Sequence, residues 1–400
     1  MITRALNLSK ILNKKKSAFL FGSRGVGKTT LVNEYLKNIS QVMVYNLLET
    51  DTYTRLLVRP ELLRAEIQEK IKSMSKSNPK CGVQLCVFID EIQKIPILLD
   101  EVHNLLESNQ NKIHFLLTGS SARKLKRVGT NLLGGRAWTF HLHPLTHLEW
   151  EQEMTQQLQF GAIPSIVIEK PDPARTLRAY VGTYLKEEIQ QETQIRNLAG
   201  FTRFLEISAQ MHGEPTNFTK MAKEAGISTK TAQEYFEVLQ DTLVAFRIDA
   251  WGYSVRKQVQ KSPKFYFFDC GVLNAIRGDL LAELKPSSFR FGKLFETMII
   301  LECIRLNDYY EKDYRFYYWR TNTGQEVDLI IRRESTKNPF VIEIKSSTAP
   351  DASDTKGLKA FLSENPKCGP MIISRSPRAY EINSIPVLPW KEALKKIFTL

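Results

Sequence analysis

Residues Gly22 to Thr29, with the sequence GSRGVGKT, constrain the fold more than any other stretch of the chain. They fit the phosphate-binding loop pattern G-x-x-x-x-G-K-S/T at every position. The apolar run Ser17 to Phe21 before the loop is too short for a helix and predicts a strand, whereas the apolar spacing of Thr30 to Lys37 predicts a helix. A strand, this loop and a helix in that order form the context that the pattern requires. We therefore expect an α/β domain of the P-loop type.

The residue types in this loop suit the binding of a nucleotide. Glycines let the backbone curl so that its N–H groups point at phosphate oxygens, and the positive end of the following helix adds to that field. Lys28 is expected to hold the β- and γ-phosphates of ATP, and Thr29 to supply a hydroxyl to Mg²⁺. The predicted nucleotide-binding residues of the loop are Gly22, Ser23, Arg24, Gly25, Val26, Gly27, Lys28, Thr29 and Thr30.

A second motif lies at the end of another predicted strand. Val42 to Leu48 is expected to form a strand and Arg55 to Ser73 a helix. After them come four apolar residues, Cys86 to Ile89, which are followed directly by Asp90 and Glu91. This is the Walker B pattern, in which Asp90 orients water around Mg²⁺ and Glu91 polarises the attacking water. A strand that merely ends in acidic turn residues is the alternative, and the loop upstream argues against it.

Further candidates follow the next predicted strand, Ile113 to Leu117. Either Thr118 or Ser120 would lie where a side chain senses the γ-phosphate, and Thr118 is included in the predicted nucleotide site. Arg123 and Arg136 are both candidates for stabilising charge at the γ-phosphate, and the alternative for each is a solvated surface charge.

Four segments together resemble one family: GSRGVGKTT, FIDEIQKIP, LTGSSAR and LLGGRA. They look like those of the AAA-type ATPases of bacteria and archaea that carry a C-terminal domain of unknown function, and the similarity covers most of the chain. The resemblance implies ATP binding and hydrolysis within an additional-strand P-loop fold, with the lysine, threonine, aspartate and glutamate of the two motifs in the roles above. It implies no particular biological task.

Length and composition bound the domain organisation and the partners. We expect an α/β chain of three domains: a P-loop ATPase domain at 1–150, a helical, winged-helix-like domain at 151–255 and a nuclease-like domain at 256–400. Basic residues exceed acidic ones by 13, which favours a polyanionic partner such as DNA, the alternative being a merely basic enzyme. Five cysteines without a C-x-x-C pair predict reduced thiols and a cytoplasmic location, and no run predicts a membrane span. A homo-oligomer or a protein partner is left open.

The predicted middle domain begins with a long helix over Ala174 to Glu192. Helix, tight turn, capped helix and hairpin arm then follow over residues 219–248, an order that resembles a winged helix. A DNA-reading second helix needs cationic or amide groups on its outer face. Here Lys230 and Gln233 are outnumbered by the three acidic residues of the helix, which favours a packing module.

The predicted last domain has the element order α-β-β-β-α-β. Glu296 lies on its first helix, Asp328 on the second strand, and Glu343 and Lys345 on the third, which is similar to the PD-(D/E)xK motif of restriction-endonuclease-like domains. Asp328 and Glu343 would hold Mg²⁺ against a scissile phosphate, Lys345 would stabilise or deprotonate the attacking water, and Glu296 would add a ligand or an outer-shell hydrogen bond. An ordinary salt bridge on an exposed strand is one alternative, and a fold kept for binding after loss of cleavage is another.

Three functions therefore remain open, and one of them is a regulator that binds DNA through the winged-helix-like domain. The other two involve the ATPase domain. The first is an ATPase coupled to a metal-dependent nuclease domain that acts on DNA. The second is a nucleotide-controlled binding module whose last domain only recognises its partner.

Overall fold

A computed structural model describes residues 2–12, 16–77, 84–109, 112–123, 125, 133–168, 172–185, 197–252, 262–334 and 337–400. The chain divides into two compact units, the first comprising Met1–His143 with Asp241–Leu243 and the second Pro144–Gln240 with Val244–Leu400. The predicted boundary at residue 150 lies close to the end of the first unit, and the predicted boundary at 255 lies outside the described residues. None of the helices in the described ranges combines the length and apolar character that a bilayer crossing needs.

A parallel sheet of five strands forms the centre of the first unit. Its strands are β1 (Ser17–Phe21), β2 (Val42–Asn46), β3 (Leu85–Asp90), β4 (Ile113–Gly119) and β5 (Ala137–His141). They are arranged in the order β2-β3-β4-β1-β5, and every neighbouring pair is parallel. Strand β4 lies between the two strands that carry the predicted motifs, which is the additional-strand arrangement expected from the sequence.

The helices of the first unit are α1 (Leu8–Leu12), α2 (Lys28–Leu36), α3 (Thr50–Val58), α4 (Glu61–Ser77) and α5 (Leu98–Ser108). The prediction of a single helix over Arg55 to Ser73 is wrong, because the chain forms two helices that are separated at Arg59 and Pro60. Proline lacks an N–H and disfavours helical backbone at the residue before it, so α3 ends and α4 begins there. Every residue of β1, β3 and β4 is buried in the core between the helices.

A mixed sheet of eight strands is the central sheet of the second unit. Its strands are β6 (Ala245–Ala250), β7 (Lys264–Phe267), β8 (Arg315–Arg320), β9 (Glu326–Arg332), β10 (Phe340–Lys345), β11 (Gly369–Ser374), β12 (Tyr380–Ile382) and β13 (Ile385–Pro389). The order across the sheet is β12-β13-β11-β10-β9-β8-β6-β7. Strand β9 is antiparallel to both β8 and β10, so the three successive strands predicted for the last domain are neighbours in the sheet.

The helices of the second unit are α6 (Met154–Phe160), α7 (Pro164–Val167), α8 (Pro173–Ala179), α9 (Leu198–Gln210), α10 (Phe218–Ala225), α11 (Thr229–Asp241), α12 (Cys270–Arg277), α13 (Phe289–Tyr309), α14 (Lys356–Glu364) and α15 (Trp390–Phe398). Of the long helix predicted over Ala174 to Glu192, the described part is α8 followed by a π-helical segment, Tyr180–Leu185, and the remainder lies outside the described residues.

The predicted middle and last domains share one continuous apolar core. Phe236 of α11 stacks on Phe265 of β7 with ring centroids 3.9 Å apart. Helices α10 and α11 and strand β6 follow the predicted order of helix, turn, helix and hairpin arm, but β6 pairs with β7, which lies in the predicted last domain. On α11 the charged side chains Lys230, Glu234 and Glu237 are exposed, and they leave its outer face net acidic as the sequence predicts.

Candidate functional site

The loop between β1 and α2 requires glycine at three positions. Gly25 and Gly27 have φ angles of 82° and 91°, in the left-handed region that other residues seldom adopt. Gly27 lies immediately before the first residue of α2, so the loop turns directly into the helix. At Gly22, a Cβ atom would lie 2.3 Å from the carbonyl oxygen of Leu142. Side chains at these positions would strain the loop or push it away from its neighbour, and the backbone could not keep this curl.

Lys28 directs its ammonium group into the loop. The residue is 7% exposed, and Nζ donates hydrogen bonds to the carbonyl oxygens of Gly22 at 2.7 Å and Ser23 at 3.4 Å. A lysine held over the loop in this way places a positive charge among backbone N–H groups at a helix N-terminus, which is the chemistry that binds phosphate oxygens. Of the other predicted loop residues, Ser23 and Val26 are buried, whereas Arg24 and Thr30 are exposed.

Asp90 receives hydrogen bonds from two hydroxyl groups that lie on different elements. Thr29, at the start of α2, donates from Oγ1 to Oδ2 of Asp90 at 2.9 Å. Thr118, near the end of β4, donates from Oγ1 to the other carboxylate oxygen, Oδ1. Asp90 is 2% exposed, and the structure brings these three predicted site residues together at one edge of the sheet. Hydroxyl and carboxylate oxygens are hard donors of the kind that Mg²⁺ prefers, so the set fits this ion.

Glu91 follows Asp90 in a left-handed conformation, with φ 59°. Its carboxylate oxygen Oε2 accepts a hydrogen bond from Nε2 of Gln93, which also donates to Oγ of Ser120 at 3.1 Å. The sequence reading placed Glu91 at this site but missed Gln93. The only available signal was its position within the segment FIDEIQKIP, in which it follows the Walker B pair.

Arg4 is a second residue that the sequence reading missed. Its guanidinium donates from Nη1 to the carbonyl oxygen of Val26 in the loop and from Nη2 to that of His143 after β5, both at 2.6 Å. Nη1 also lies 3.8 Å from the position of a Cβ atom built on Gly27. Arg4 therefore joins the phosphate-binding loop to the chain that leaves β5.

The two candidate arginines are engaged elsewhere in the first unit. Arg123 forms an ion pair with Asp241. Arg136 pairs with Glu107 at 2.8 Å, with both side chains about half exposed. Neither contact is to a residue of the loop, so a role for either arginine at the γ-phosphate stays a prediction.

The polar residues predicted for the last domain lie at the edge where β9 and β10 diverge. The regular pairing of these strands ends with Leu329 opposite Ile342. Oδ2 of Asp328 accepts a hydrogen bond of 2.7 Å from the backbone N–H of Ile344. Lys345 Nζ lies 2.8 Å from Oε1 of Glu343, so these two side chains share one side of β10 as strand alternation predicts. The register of β9 against β8 is irregular between Val327 and Ile330, which interrupts the alternation next to Asp328.

Glu296 lies on α13 and is 8% exposed. Its Oε1 accepts a hydrogen bond of 3.1 Å from the hydroxyl of Tyr266, and its Oε2 lies 3.3 Å from Nζ of Lys293. Lys293 also forms an ion pair of 3.4 Å with Glu214. The sequence reading did not identify this second lysine, which is a neighbour of the carboxylates only through the helical spacing of α13.

Burial and repulsion between carboxylates raise the pKa values of Asp328 and Glu343. The pKa of Asp328 is well above its usual value because the group is buried and the charges of Glu343 and Glu296 are close, and Lys345 offsets part of the effect. Burial also raises the pKa of Glu343. Burial alone would lower the pKa of Lys345, but attraction to Glu343 outweighs it and the pKa is raised.

The three carboxylates do not converge as a set of metal ligands. Across the described ranges, no three or more His, Cys, Asp and Glu side chains are grouped so that they could hold a metal ion. Each of the three carboxylates contacts a protein donor: Glu296 the hydroxyl of Tyr266, Asp328 the N–H of Ile344, and Glu343 the ammonium of Lys345. Oε2 of Glu343 is buried and has no hydrogen-bond partner among the described residues. The predicted Mg²⁺ roles of Asp328 and Glu343, with Glu296 as a ligand or an outer-shell hydrogen bond, therefore stay a prediction.

Comparison with known families assigns three consecutive regions. Residues 14–151 match the family described as AAA domain. Residues 151–282 match a domain of unknown function, DUF8612, and residues 291–393 match another, DUF4143. Together with the five-stranded parallel sheet and the loop geometry, these matches indicate an AAA-type P-loop domain at residues 14–151, followed by two regions that match domains of unknown function.

Relatives of known sequence are themselves uncharacterised. A protein of Mycobacterium tuberculosis (strain ATCC 25618 / H37Rv) is 27% identical over 278 residues, which are 68% of this chain and 61% of that protein. A protein of Methanocaldococcus jannaschii is 21% identical over 314 residues, covering 66% of this chain and 63% of that protein. The chain thus spans less than two thirds of the length of these relatives.

Solved structures show only distant similarity. The Orc1 protein of Aeropyrum pernix, solved in complex with DNA, aligns with a TM-score of 0.28 and 15% identity, covering 68% of this chain and 90% of that one. Domain III of the replication initiation protein DnaA of Thermotoga maritima aligns with a TM-score of 0.25 and 15% identity, covering 58% and 88%. Similarity at this level is too low to bear on function.

Proposed function

We propose that the first unit binds ATP and hydrolyses it in a Mg²⁺-dependent reaction. The observation that carries this proposal is the hydrogen bond of 2.9 Å between Thr29 and Asp90, which joins the phosphate-binding loop to the end of β3. The buried Lys28 lies in the same loop. A lysine for phosphate oxygens and a hydroxyl–carboxylate pair for Mg²⁺ are the two parts that a P-loop hydrolase needs at its phosphates.

Each residue then has a defined task. Backbone N–H groups of the loop and Lys28 hold the β- and γ-phosphates, while Thr29 and Asp90 hold Mg²⁺. The ion, when bound, neutralises charge on the phosphate oxygens. Thr118 keeps Asp90 in its orientation through the hydrogen bond to Oδ1. Glu91 orients the attacking water and accepts its proton at the carboxylate.

Phosphate release and nucleotide affinity test this proposal on the full chain. We expect the wild type to bind ATP and to release inorganic phosphate with Mg²⁺ but not with EDTA. Tight ATP binding without any phosphate release would contradict hydrolysis and leave only a nucleotide-binding role. Failure to bind ATP at all would contradict the whole assignment of the loop.

A second candidate function concerns the last domain. We propose that it acts on DNA under the control of the nucleotide state. The observation that favours this is the hydrogen bond of 2.7 Å from the N–H of Ile344 to Asp328, with Lys345 2.8 Å from Glu343, on the two strands predicted for a nuclease-like site. The excess of 13 basic over acidic residues favours a polyanionic partner. Because the carboxylates do not form a three-ligand group, the alternative is a domain that binds DNA without cutting it.

A comparison of variants separates cleavage from binding. Supercoiled and linear DNA would be incubated with ATP and either Mg²⁺ or Mn²⁺, using wild type, Asp328→Ala, Lys28→Ala and the exposed-site control Glu381→Ala. Cleavage that Asp328→Ala abolishes and Glu381→Ala retains supports the nuclease, and an effect of Lys28→Ala supports nucleotide control. DNA capture without products from any variant supports the binding role. Equal products from wild type and Asp328→Ala contradict a nuclease site at these strands.

A further inference from the structure

Gln93 is a buried polar residue to which the two nucleotide motifs give no role. It belongs to the short 3₁₀ turn Ile92–Lys94 that follows β3, and only 5% of the residue is exposed. Burying a glutamine amide costs free energy unless its hydrogen-bonding groups are satisfied. Nε2 of Gln93 has two partners, whereas Oε1 has none among the described residues, so the partners of Nε2 indicate why the site retains the residue.

The amide nitrogen of Gln93 connects two strand ends. Nε2 donates to Oε2 of Glu91 and, at 3.1 Å, to Oγ of Ser120. Ser120 directly follows β4 and is itself 5% exposed. The carboxylate of Glu91 is thereby tied through one amide to the end of the strand whose Thr118 already holds Asp90.

Gly119 leaves the space that this amide needs. A Cβ atom on Gly119 would lie 2.3 Å from Oε1 of Gln93, far inside any normal contact. The φ angle of Gly119 is not in the left-handed region, so the backbone itself does not require glycine here. The close approach of Gln93 is therefore the physical reason for glycine at the end of β4.

We infer that Gln93 is a positioning residue that sets the orientation of Glu91 for attack of water on the γ-phosphate, and that Gly119 admits it. The inference rests on the proposed ATP hydrolysis. The backbone of Glu91 is left-handed, and the amide of Gln93 fixes one of its carboxylate oxygens, so the side chain is restrained at both ends. A carboxylate that must orient a water gains from such restraint, since small displacements of a catalytic group lower rates strongly.

Steady-state ATP hydrolysis and ATP affinity of full-length variants test the inference. Gln93→Ala should lower kcat about tenfold or more while the Kd for ATP stays within about twofold of wild type. Gln93→Glu keeps the size but places a second carboxylate against Glu91, and it should lower kcat at least as far. Gln68→Ala, a glutamine on α4 outside both motifs, is the matched control and should retain the wild-type kcat.

A double-mutant cycle with Gly119→Ala adds a readout that a space-filling role for Gln93 would not give. The new methyl group displaces the amide, so Gly119→Ala alone should lower kcat, but it should have little further effect in the Gln93→Ala background. If the wild type hydrolyses ATP and Gln93→Ala has the same kcat, the inference is wrong and the proposed function stands. A loss of kcat that only follows a loss of ATP affinity also overturns it. A wild type that binds ATP without hydrolysing it overturns both.

Discussion

The hydroxyl of Thr29, on the helix that follows β1, donates a hydrogen bond of 2.9 Å to Oδ2 of Asp90 at the end of β3, although β4 lies between these two strands in the sheet. Thr118, at the end of that intervening strand, holds the other oxygen of the same carboxylate. The three parallel strands all end at this edge, so their terminal side chains meet. Asp90 is therefore fixed from two sides before any nucleotide is considered.

The charge of Asp90 should make ATP binding depend on Mg²⁺. Asp90→Asn keeps the size of the side chain but removes the charge, so we expect the Kd for ATP with Mg²⁺ to rise about tenfold to a hundredfold, the range of a charged hydrogen bond or ligand. The Kd measured with EDTA should stay near the wild-type value. Isothermal titration under both conditions is the measurement. An unchanged advantage of Mg²⁺ in the variant would exclude Asp90 from the ion's surroundings.

Arg4 should support nucleotide affinity from outside the loop. Removing the two hydrogen bonds of 2.6 Å in Arg4→Ala frees the carbonyl groups of Val26 and His143, and we expect the Kd for ATP to rise about tenfold. Arg4→Lys should recover only part of the affinity, because an ammonium cannot span both carbonyls as a planar guanidinium does. The exposed Arg59→Ala serves as the control. Wild-type affinity in Arg4→Ala would show that the loop keeps its shape unaided.

Glu302 should be a major contributor to the stability of the second unit. Its Oε2 lies 2.6 Å from Nδ1 of His147, and Oε1 lies 3.6 Å from Arg305, with all three side chains almost fully buried. Glu302→Ala leaves the Arg305 charge unpaired in the core, which typically costs about 3–5 kcal/mol. Calorimetry should show a clear fall in the unfolding temperature, whereas the exposed Glu381→Ala should unfold like the wild type. Equal unfolding temperatures for Glu302→Ala and wild type would rule out a stabilising role.

His212 should make the stability of the second unit fall in acid. Its Nδ1 accepts a hydrogen bond from the N–H of Phe267 at 3.2 Å, so the neutral ring donates from Nε2 to Oγ1 of Thr297 at 2.8 Å. Burial, together with the positive charges of Arg277, Lys293 and Lys264, lowers the pKa of His212 well below its ordinary value of 6.5.

The sign of this effect follows from which state binds the proton. Below about pH 6.5 the histidine is protonated in the unfolded chain but not in the folded chain. The contribution of His212 to the free energy of unfolding is therefore complete above that pH and declines by about 1.4 kcal/mol per pH unit below it. Denaturant midpoints of wild type and His212→Gln at about pH 7 and about pH 5 measure the difference. The variant should lose less stability on acidification. An equal loss in both proteins would assign the acid sensitivity to other groups.

Local patterns in the sequence were sufficient to predict the local structure around the two motifs. The strand before Gly22, the helix that contains Thr29 and the strand that ends at Asp90 each depend on neighbouring residues, and the structure has all three. Arg4 and Gln93 could not be predicted in this way, because their partners are a backbone carbonyl and a strand end that only the folded sheet brings near.

In the last domain, strand alternation predicted that Glu343 and Lys345 share a face but not what the side chains contact. The regular pairing of β9 with β10 ends at Leu329, next to Asp328. The N–H of Ile344 donates a hydrogen bond to Asp328, and the ammonium of Lys345 lies against the carboxylate of Glu343. Helix α13 places Glu296 where it accepts a hydrogen bond from Tyr266. These hydrogen bonds depend on the divergence of β9 and β10 and on the placement of α13, which side-chain periodicity does not encode.

Phosphate release by Lys28→Ala and Glu91→Gln, measured beside ATP affinity, tests the central claim most directly. Lys28→Ala should lose both binding and hydrolysis, because the ammonium held over Gly22 and Ser23 is removed. Glu91→Gln should bind ATP as the wild type does while its turnover falls about a hundredfold to ten-thousandfold, the usual contribution of a general base. Lys37→Ala, which removes an exposed lysine at the other end of α2, should leave both unchanged. Wild-type turnover in Glu91→Gln, or wild-type affinity in Lys28→Ala, would contradict ATP hydrolysis at this loop.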